Sequence, residues 1–417
     1  MSSSSQQRGL LVTVLTSVAA VAIALLVGAI FILLSQQNPI TAYRALIDGA
    51  FGSRRAVGET LAASTPYIFG GLSFAVAYRA GLFNIGIEGQ MLMGGLAAGL
   101  FAAWNFNLPH VIYLPLALAV AAIAGGVWGA IAGALKAMSG AHEVITTIML
   151  NYIAYSILSY VLLRSGDWLP VNPQLQATKP ASPDARLPNI LSGTRLHAGL
   201  LLGLLMAVVI WYLLFRTSFG YQLRTVGISK GAAAYAGMSW GATITISMFI
   251  SGALAGLGGS SETLGLLGQQ YNATPGYGFA SIAVGLVGRN NPFGVVLAAL
   301  LFGILRSGST AMQNQAGTSK ELVLVLQGLV ILSFAAVAAS GRAQAWWAKR
   351  RGTRFEDTTD TIGVEPGVAT ELEGSGPGRP ATWAISSTSI CSRPCCAWQR
   401  RSSSRPWVDC CASAQES

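Results

Sequence analysis

The stretch Arg79-Ala-Gly-Leu-Phe-Asn-Ile-Gly-Ile-Glu-Gly-Gln-Met91 decides how this chain is read. It is a polar break, punctuated by Gly81, Gly86 and Gly89, between two apolar runs. A cation, two amides and a carboxylate (Arg79, Asn84, Gln90 and Glu88) are set where the flanking sequence is almost pure hydrocarbon. Two readings stand side by side. In one, the break is a cytoplasmic turn and Glu88 is solvated or paired with Arg79. In the other, it is a discontinuity at membrane depth, where an ionisable residue marks a pathway and irregular backbone lines a water-filled cavity.

The surrounding composition places the break in a membrane protein. The chain has 417 residues, of which 52% are hydrophobic and 10% charged, against about 25% charged in an ordinary soluble domain. Runs of about 20 apolar residues read as membrane-spanning helices, and this sequence carries many. The net charge of +10 is scattered between those runs, with one cluster after the last. That is a positive-inside distribution rather than a nucleic-acid stripe. All five cysteines fall at or after Cys391, so the apolar region holds no disulfide framework and no thiolate metal site.

The expected architecture is all-α: a polytopic bundle of about ten transmembrane helices, some of them broken. Spans are predicted at 10–34, 61–78, 90–104, 111–135, 144–163, 198–215, 242–259, 279–288, 293–305 and 322–339, giving a transmembrane domain over 10–340. Residues 1–9 form a cytoplasmic N-terminus, and the first span is an uncleaved signal anchor. Asn38-Pro39 reads as a helix breaker within a polar connection over 35–60. The arginines of that connection (Arg44, Arg54, Arg55) would lie outside, against the positive-inside tendency. The proline-rich segment 164–197 is the longest polar connection and lies outside by parity. Residues 341–354 form a basic cytoplasmic interface with Trp346 and Trp347 beside the arginines. From 355 to 417 the composition turns acidic, then Gly/Pro-rich, then Ser/Arg/Cys-rich without period, which predicts a disordered tail or a frameshifted end.

Catalytic material is scarce. No Gly-x4-Gly-Lys-Ser/Thr occurs, so the chain has no ATP-binding P-loop of its own. His142-Glu143 begins like a zincin helix, but Thr146 stands where the second histidine is needed. His110 and His197 sit singly at loop boundaries and read as surface residues. No cofactor, metal site or enzymatic activity is expected. A second break, Gly285-Leu-Val-Gly-Arg-Asn-Asn-Pro292, has chemistry like the first, and two such interruptions point to a transporter. Its solute pathway is expected at Asn84, Glu88 and Gln90, with Gln269 and Asn272 from the loop 265–278. The glycine rows Gly125/Gly129/Gly133 and Gly252/Gly256 read as helix-packing seams. In the loop 216–240, Ser229 can cap a short helix over 230–236 that Gly237 stops. That helix is either a plain linker or a docking element for a partner.

The stretch 79–90 resembles the signature of ABC-transporter permeases of the branched-chain amino acid, ribose and nucleoside group, nearest the nucleoside and simple-sugar branch. Glu143-Val-Ile-Thr-Thr-Ile-Met-Leu-Asn-Tyr152 and Gly288-Arg-Asn-Asn-Pro-Phe-Gly294 resemble further stretches of that branch. So does Gly276-Tyr-Gly-Phe279. Gly220-Tyr-Gln-Leu-Arg-Thr-Val-Gly227 with Ala234-Tyr-Ala-Gly237 resembles its coupling loop, except that Ser229-Lys230 stands where such permeases often show Asn-Pro. Together the similarities span 40–340. The resemblance implies a pore-forming importer subunit, not an enzyme, in a bacterial cell membrane with both termini cytoplasmic. The solute would be a nucleoside, or alternatively a sugar or branched-chain amino acid. The implied partners are an ATP-binding cassette subunit, a second permease in a heterodimer and an extracytoplasmic solute-binding lipoprotein. The coupling loop would act through Gly220, Arg224, Gly227, Lys230, Ala234 and Gly237. The remaining rival is an ion-coupled secondary transporter, which the shortage of membrane carboxylates disfavours.

Overall fold

The computed structural model describes residues 22–23, 25–104, 106–164, 169–273, 276–317, 324–325 and 328–329. Most of the first expected span, the tenth, the basic interface and the tail lie outside these residues, as do all five cysteines.

Twelve helices are described: α1 (Leu25–Leu34), α2 (Pro39–Phe51), α3 (Arg54–Arg79), α4 (Ile87–Ala103), α5 (His110–Ser139), α6 (Glu143–Leu163), α7 (Gly199–Arg216), α8 (Ser218–Ile228), α9 (Lys230–Tyr235), α10 (Trp240–Ser260), α11 (Tyr277–Val287) and α12 (Pro292–Ala316). A π-helical segment, Ser261–Leu267, prolongs α10. Among the described residues, six helices are long and apolar enough to cross a membrane: α3, α5, α6, α7, α10 with its extension, and α12. Three more, α1, α4 and α11, are apolar but shorter.

The central helix is α3. In its apolar window 89% of the residues are buried, against 28% in α5 and in α6. Helices α10, α11 and α12 pack closely on α3, and α7 covers it in part, while α5, α6 and α7 present Ile123, Ile153 and Val208 outward. An apolar outward face suits hydrocarbon, since lipid sets no penalty on exposed Leu and Ile. The two glycine rows meet. A Cβ on Gly125 or Gly129 would run into the backbone of α10 at Gly252, Gly256 or Met248, so α5 and α10 touch backbone to backbone.

Two expectations are corrected. The segment 35–60 is not a plain connection: Asn38 caps α2 by accepting from the Ile40 N–H (2.9 Å), and Pro39 is its first residue. Proline fits the first helical turn because the N–H it lacks has no intrahelical partner there. Likewise, the loop expected from 265 onward is still helical to Leu267, and a left-handed Gly268 ends it (φ 71°). The connection after α6 folds into a small hairpin, β1 (Val171–Asn172) against β2 (Ala177–Thr178). It lies against residues 270–272: the Thr178 N–H donates to the Gln270 carbonyl and the Asn272 N–H to the Gln176 carbonyl.

Candidate functional site

The polar break is made by the end of one helix and the delayed start of the next. Helix α3 closes in a Schellman motif: the Gly81 N–H donates to the Tyr78 carbonyl and the Leu82 N–H to the Ala77 carbonyl, both at 3.0 Å. Gly81 takes φ 76°, the left-handed conformation that glycine adopts without strain. The chain then runs without helix until α4 begins at Ile87.

That run lies inside the bundle. At one end of α11, the Arg79 guanidinium donates to the Asn290 carbonyl from both Nε (3.3 Å) and Nη2 (3.2 Å). At the other end, Glu88 Oε2 accepts from the N–H groups of Gly278 (2.6 Å) and Phe279 (3.3 Å). Helix α11 has 11 residues, so these contacts are separated by about 16 Å at a rise of 1.5 Å per residue. Arg79, residues 80–86 and Glu88 together therefore bridge the length of α11 inside the bundle. Glu88 is 2% exposed, Gln90 1% and Asn84 0%. A solvated cytoplasmic turn is the reading this geometry removes.

Non-helical backbone at such depth needs every polar group satisfied. Asn84 and Asn151 supply most of the partners. Asn84 Oδ1 accepts from the Gly86 N–H (2.9 Å), and its Nδ2 donates to Gln90 Oε1 (3.0 Å) and Ser251 Oγ (2.9 Å). Asn151 Nδ2 donates to the Ile85 carbonyl (3.0 Å) and its Oδ1 accepts from the Gly89 N–H (2.8 Å). Ser251 Oγ donates to the Ser73 carbonyl (2.8 Å). Side chains of α4, α6 and α10, the last anchored to the Ser73 carbonyl of α3, thus hold the break in one conformation.

Glu88 has a different role. Its carboxylate caps the N-terminus of α11, where partial positive charge favours an anion. Gly278 permits the approach, since a Cβ there would overlap the Glu88 backbone. Beside Glu88 is a small cavity, ≈ 20 Å³, lined also by Glu262, Gln270, Ala273 and Tyr277. That volume suits about one water molecule. Gln270 is fixed by the Thr263 hydroxyl, which donates to its Oε1 (2.7 Å), and donates from Nε2 to the Tyr271 carbonyl (2.9 Å).

The expected pathway residues therefore separate. Asn84, Glu88 and Gln90 come together in the bundle. Gln269 is half-buried and does not join them, while its neighbour Gln270 lines the cavity. Asn272 sits farther out, accepting from Ser159 (2.9 Å) and donating to Gln176 Oε1 (3.1 Å). Glu262 and Tyr277 were not singled out from the sequence. Glu262 follows Gly258-Gly-Ser-Ser without a break, and that apolar-to-polar junction reads as a span ending. His197 is not a surface residue: it is 1% exposed. Burial lowers it to about 4, and its Nδ1 accepts from the Gly199 N–H (3.2 Å) at the start of α7.

In the segment 216–240 the short helix forms close to where it was expected, as α9 (Lys230–Tyr235), but residues 218–228, read as loop, are helical too. Ser229 caps α9 by accepting from the Ala232 N–H (3.3 Å), and Gly237 ends it at φ 71°. Helix α8 precedes it, with Gly220 buried against the end of α7 and Arg224 over the Phe215 ring at 5.2 Å. Arg79 lies over that same ring at 5.4 Å. Lys230 sits 3.9 Å from the Trp240 ring centroid, and Ala234 is exposed. Gly227 abuts the break: a Cβ on it would run into the Arg79 carbonyl and the Gly81 nitrogen. Tyr221, Ile228 and Tyr235 are exposed by 58%, 88% and 97%.

The profile of the family described as branched-chain amino acid transport system / permease component matches residues 56–335. The guanosine ABC transporter permease protein NupP of Bacillus subtilis is 42% identical, over 75% of this chain and 90% of its own length. The nucleoside ABC transporter permease protein NupB of Lactococcus lactis is 36% identical, over 77% and 90% respectively. The glucose ABC transporter permease protein TsgB13 of Haloferax volcanii is 34% identical, over 76% and 86%. No solved structure matches. With two thirds of the sequence under one family profile and relatives aligned over most of their length, the chain belongs to the branched-chain amino acid transport system permease family of ABC transporters.

Proposed function

We propose that this chain is the pore-forming permease of an ATP-driven importer for nucleosides, guanosine among them. The observation that carries this reading is the contact of Gly227 with Arg79 and Gly81. It joins an exposed helical pair, α8 and α9, to a break that reaches the middle of the bundle. A push on α8 from a partner is thereby delivered to residues 80–86, and from there to Glu88 and α11. The similarity to NupP and NupB supports a nucleoside as the solute.

ATP hydrolysis belongs to a separate ATP-binding cassette subunit, which docks on Tyr221, Ile228 and Tyr235. In this assignment Gly220, Arg224, Gly227, Lys230, Ala234 and Gly237 form the coupling element. Its end of the bundle is cytoplasmic, as are both termini, and the hairpin end receives solute from a binding lipoprotein. A second, different permease completes the pore. Support for it comes from Bacillus subtilis NupQ, also named a guanosine ABC transporter permease, which is only 27% identical to this chain. In the pathway, Glu88 faces the solute route, Asn84 and Gln90 hold the break that forms it, and Gln269 and Asn272 belong to its outer entrance.

Reconstitution with the ATPase, the second permease and the binding protein tests the reading. Uptake of labelled guanosine should require ATP and be competed by other nucleosides but not by glucose. Glucose uptake would favour the TsgB13-like alternative. Guanosine uptake driven by an ion gradient without ATP would overturn the ATP-coupled mechanism.

A further inference from the structure

A second cavity, ≈ 500 Å³, opens between α2, the first turns of α3 and the latter half of α12. That is a size suited to a small organic ligand. Residues 55–63 of α3 line it, whereas the last residue of α3, Arg79, meets Gly227. The 26 residues of α3 span about 39 Å, so the cavity lies at the far end of the bundle from α8 and α9. Its charges are partly cancelled, because Arg195 Nε is 2.9 Å from Glu59 Oε1. Arg306, deep in the apolar helix α12, places its guanidinium 5.3 Å from the centroid of the Tyr277 ring. A cation in that position faces a cavity or pathway by default.

Tyr277 lines this cavity and also the small pocket of Glu88 and Glu262. Its ring packs edge-on against Tyr67 (4.9 Å), which in turn packs against Phe302 (5.8 Å). The side chain stands at the junction of a wide polar chamber and a narrow acidic one. We propose that the wide cavity is the solute's entry chamber and that the Tyr277 ring is the barrier between it and the Glu88–Glu262 pocket. Its ligand is an uncharged planar heterocycle bearing hydroxyl groups. Aromatic faces and guanidinium groups stack on such a ring, and the polar lining at Ser307, Thr310 and Asn314 hydrogen-bonds hydroxyls. The ligand assignment rests on the nucleoside reading; the barrier does not.

Cysteine labelling of the assembled transporter tests both parts. The five native cysteines are replaced by serine, and one cysteine is added at Thr310→Cys, in the chamber, or Leu92→Cys, a buried position lining the small pocket behind the ring. A membrane-impermeant thiol reagent is applied from the hairpin side. Thr310→Cys should label readily, and guanosine at about twice its Kd should slow that labelling about threefold. Leu92→Cys should be shielded, and adding Tyr277→Ala should speed its labelling about tenfold or more by opening the barrier. Adding Tyr277→Phe, which keeps the ring, should leave Leu92→Cys shielded and controls for misfolding. Labelling of Leu92→Cys that ignores residue 277 overturns the barrier. Unslowed labelling of Thr310→Cys in a transporter that still imports guanosine overturns the ligand assignment. A wild-type assembly that imports no nucleoside would instead defeat the functional reading, with the barrier still judged by Leu92→Cys.

Discussion

The two polar breaks begin alike and end differently. Each follows a Schellman closure. In the first, Gly81 is the left-handed residue; in the second, Arg289 takes that place at φ 54°, with its N–H on the Leu286 carbonyl and the Asn290 N–H on the Gly285 carbonyl. After the closure the second break restarts at once. Asn291 caps α12 through its Oδ1 (3.1 Å to the Phe293 N–H), and Pro292 begins it. The first break has no such cap or proline. It runs on into the bundle because Asn84 and Asn151 meet its backbone there, with Gln90 and Ser251 holding the Asn84 amide. Similar residues thus give a compact turn or a deep unwound segment, according to whether neighbouring helices supply polar partners.

The strongest way to break this contrast is Asn84→Leu. It strands the Gly86 N–H and the Gln90 amide in an apolar interior, which should cost about 3 kcal/mol or more. Thermal unfolding in detergent should show a large drop in Tm. A Tm close to wild type would mean the segment does not depend on its network.

His197 gives a second test of buried polarity, this time without a network. Its folded pKa of about 4 lies below the usual 6.5, so the unfolded chain takes up the proton first. The contribution of His197 is complete above about pH 6.5 and is lost as pH falls towards 4, by at most about 3 kcal/mol. His197→Gln should flatten the stability profile between those pH values. An unchanged acid slope would show that His197 titrates normally in the fold.

Gly227→Val probes what the first break is attached to. Its Cβ would collide with the Arg79 carbonyl and lift α8 off the break, and guanosine uptake by the intact assembly should fall about tenfold, equivalent to about 1.4 kcal/mol in the transport barrier. Full uptake would show that α8 need not seat against the break.

The smallest effect, of opposite sign, belongs to the second break. Asn290→Gly relieves the strain of a side chain at positive φ (52°) and removes a buried Oδ1 that has no partner among the described residues, while retaining the carbonyl that Arg79 holds. It should stabilise by about 1 kcal/mol. Destabilisation would show that the Asn290 side chain is bonded.

Much of this was legible in the sequence. Composition pointed to the membrane bundle, and the alternation of apolar runs with glycine, proline and charge located α3 to α7 and α10 to α12 to within a few residues, except that α3 starts seven residues early at Arg54, α10 is prolonged to Leu267 and α12 runs on past Leu305 to Ala316. Ser229 and Gly237 delimited α9 because caps are local chemistry. What escaped notice depended on tertiary position. Arg306 read as the end of a span because a charge usually leaves the membrane, yet α12 continues for ten residues with the guanidinium turned to a cavity. Glu262 was hidden by the same logic at the end of α10. His197 looked solitary along the chain, but Gly265 brings the π-helical segment onto its ring. The depth of residues 80–86 was equally invisible, because it depends on Asn151 and Ser251, far away in sequence.

The central claim is that the deep break, with Glu88 on α11, is a working part of the solute path. The most direct measurement is ATP-driven guanosine uptake by the assembled transporter carrying Glu88→Gln. The account predicts a fall of about tenfold or more in uptake, with assembly and ATP hydrolysis retained, because a neutral amide no longer holds the α11 N-terminus as a carboxylate does. Unchanged uptake rate and unchanged nucleoside preference in that variant would contradict it.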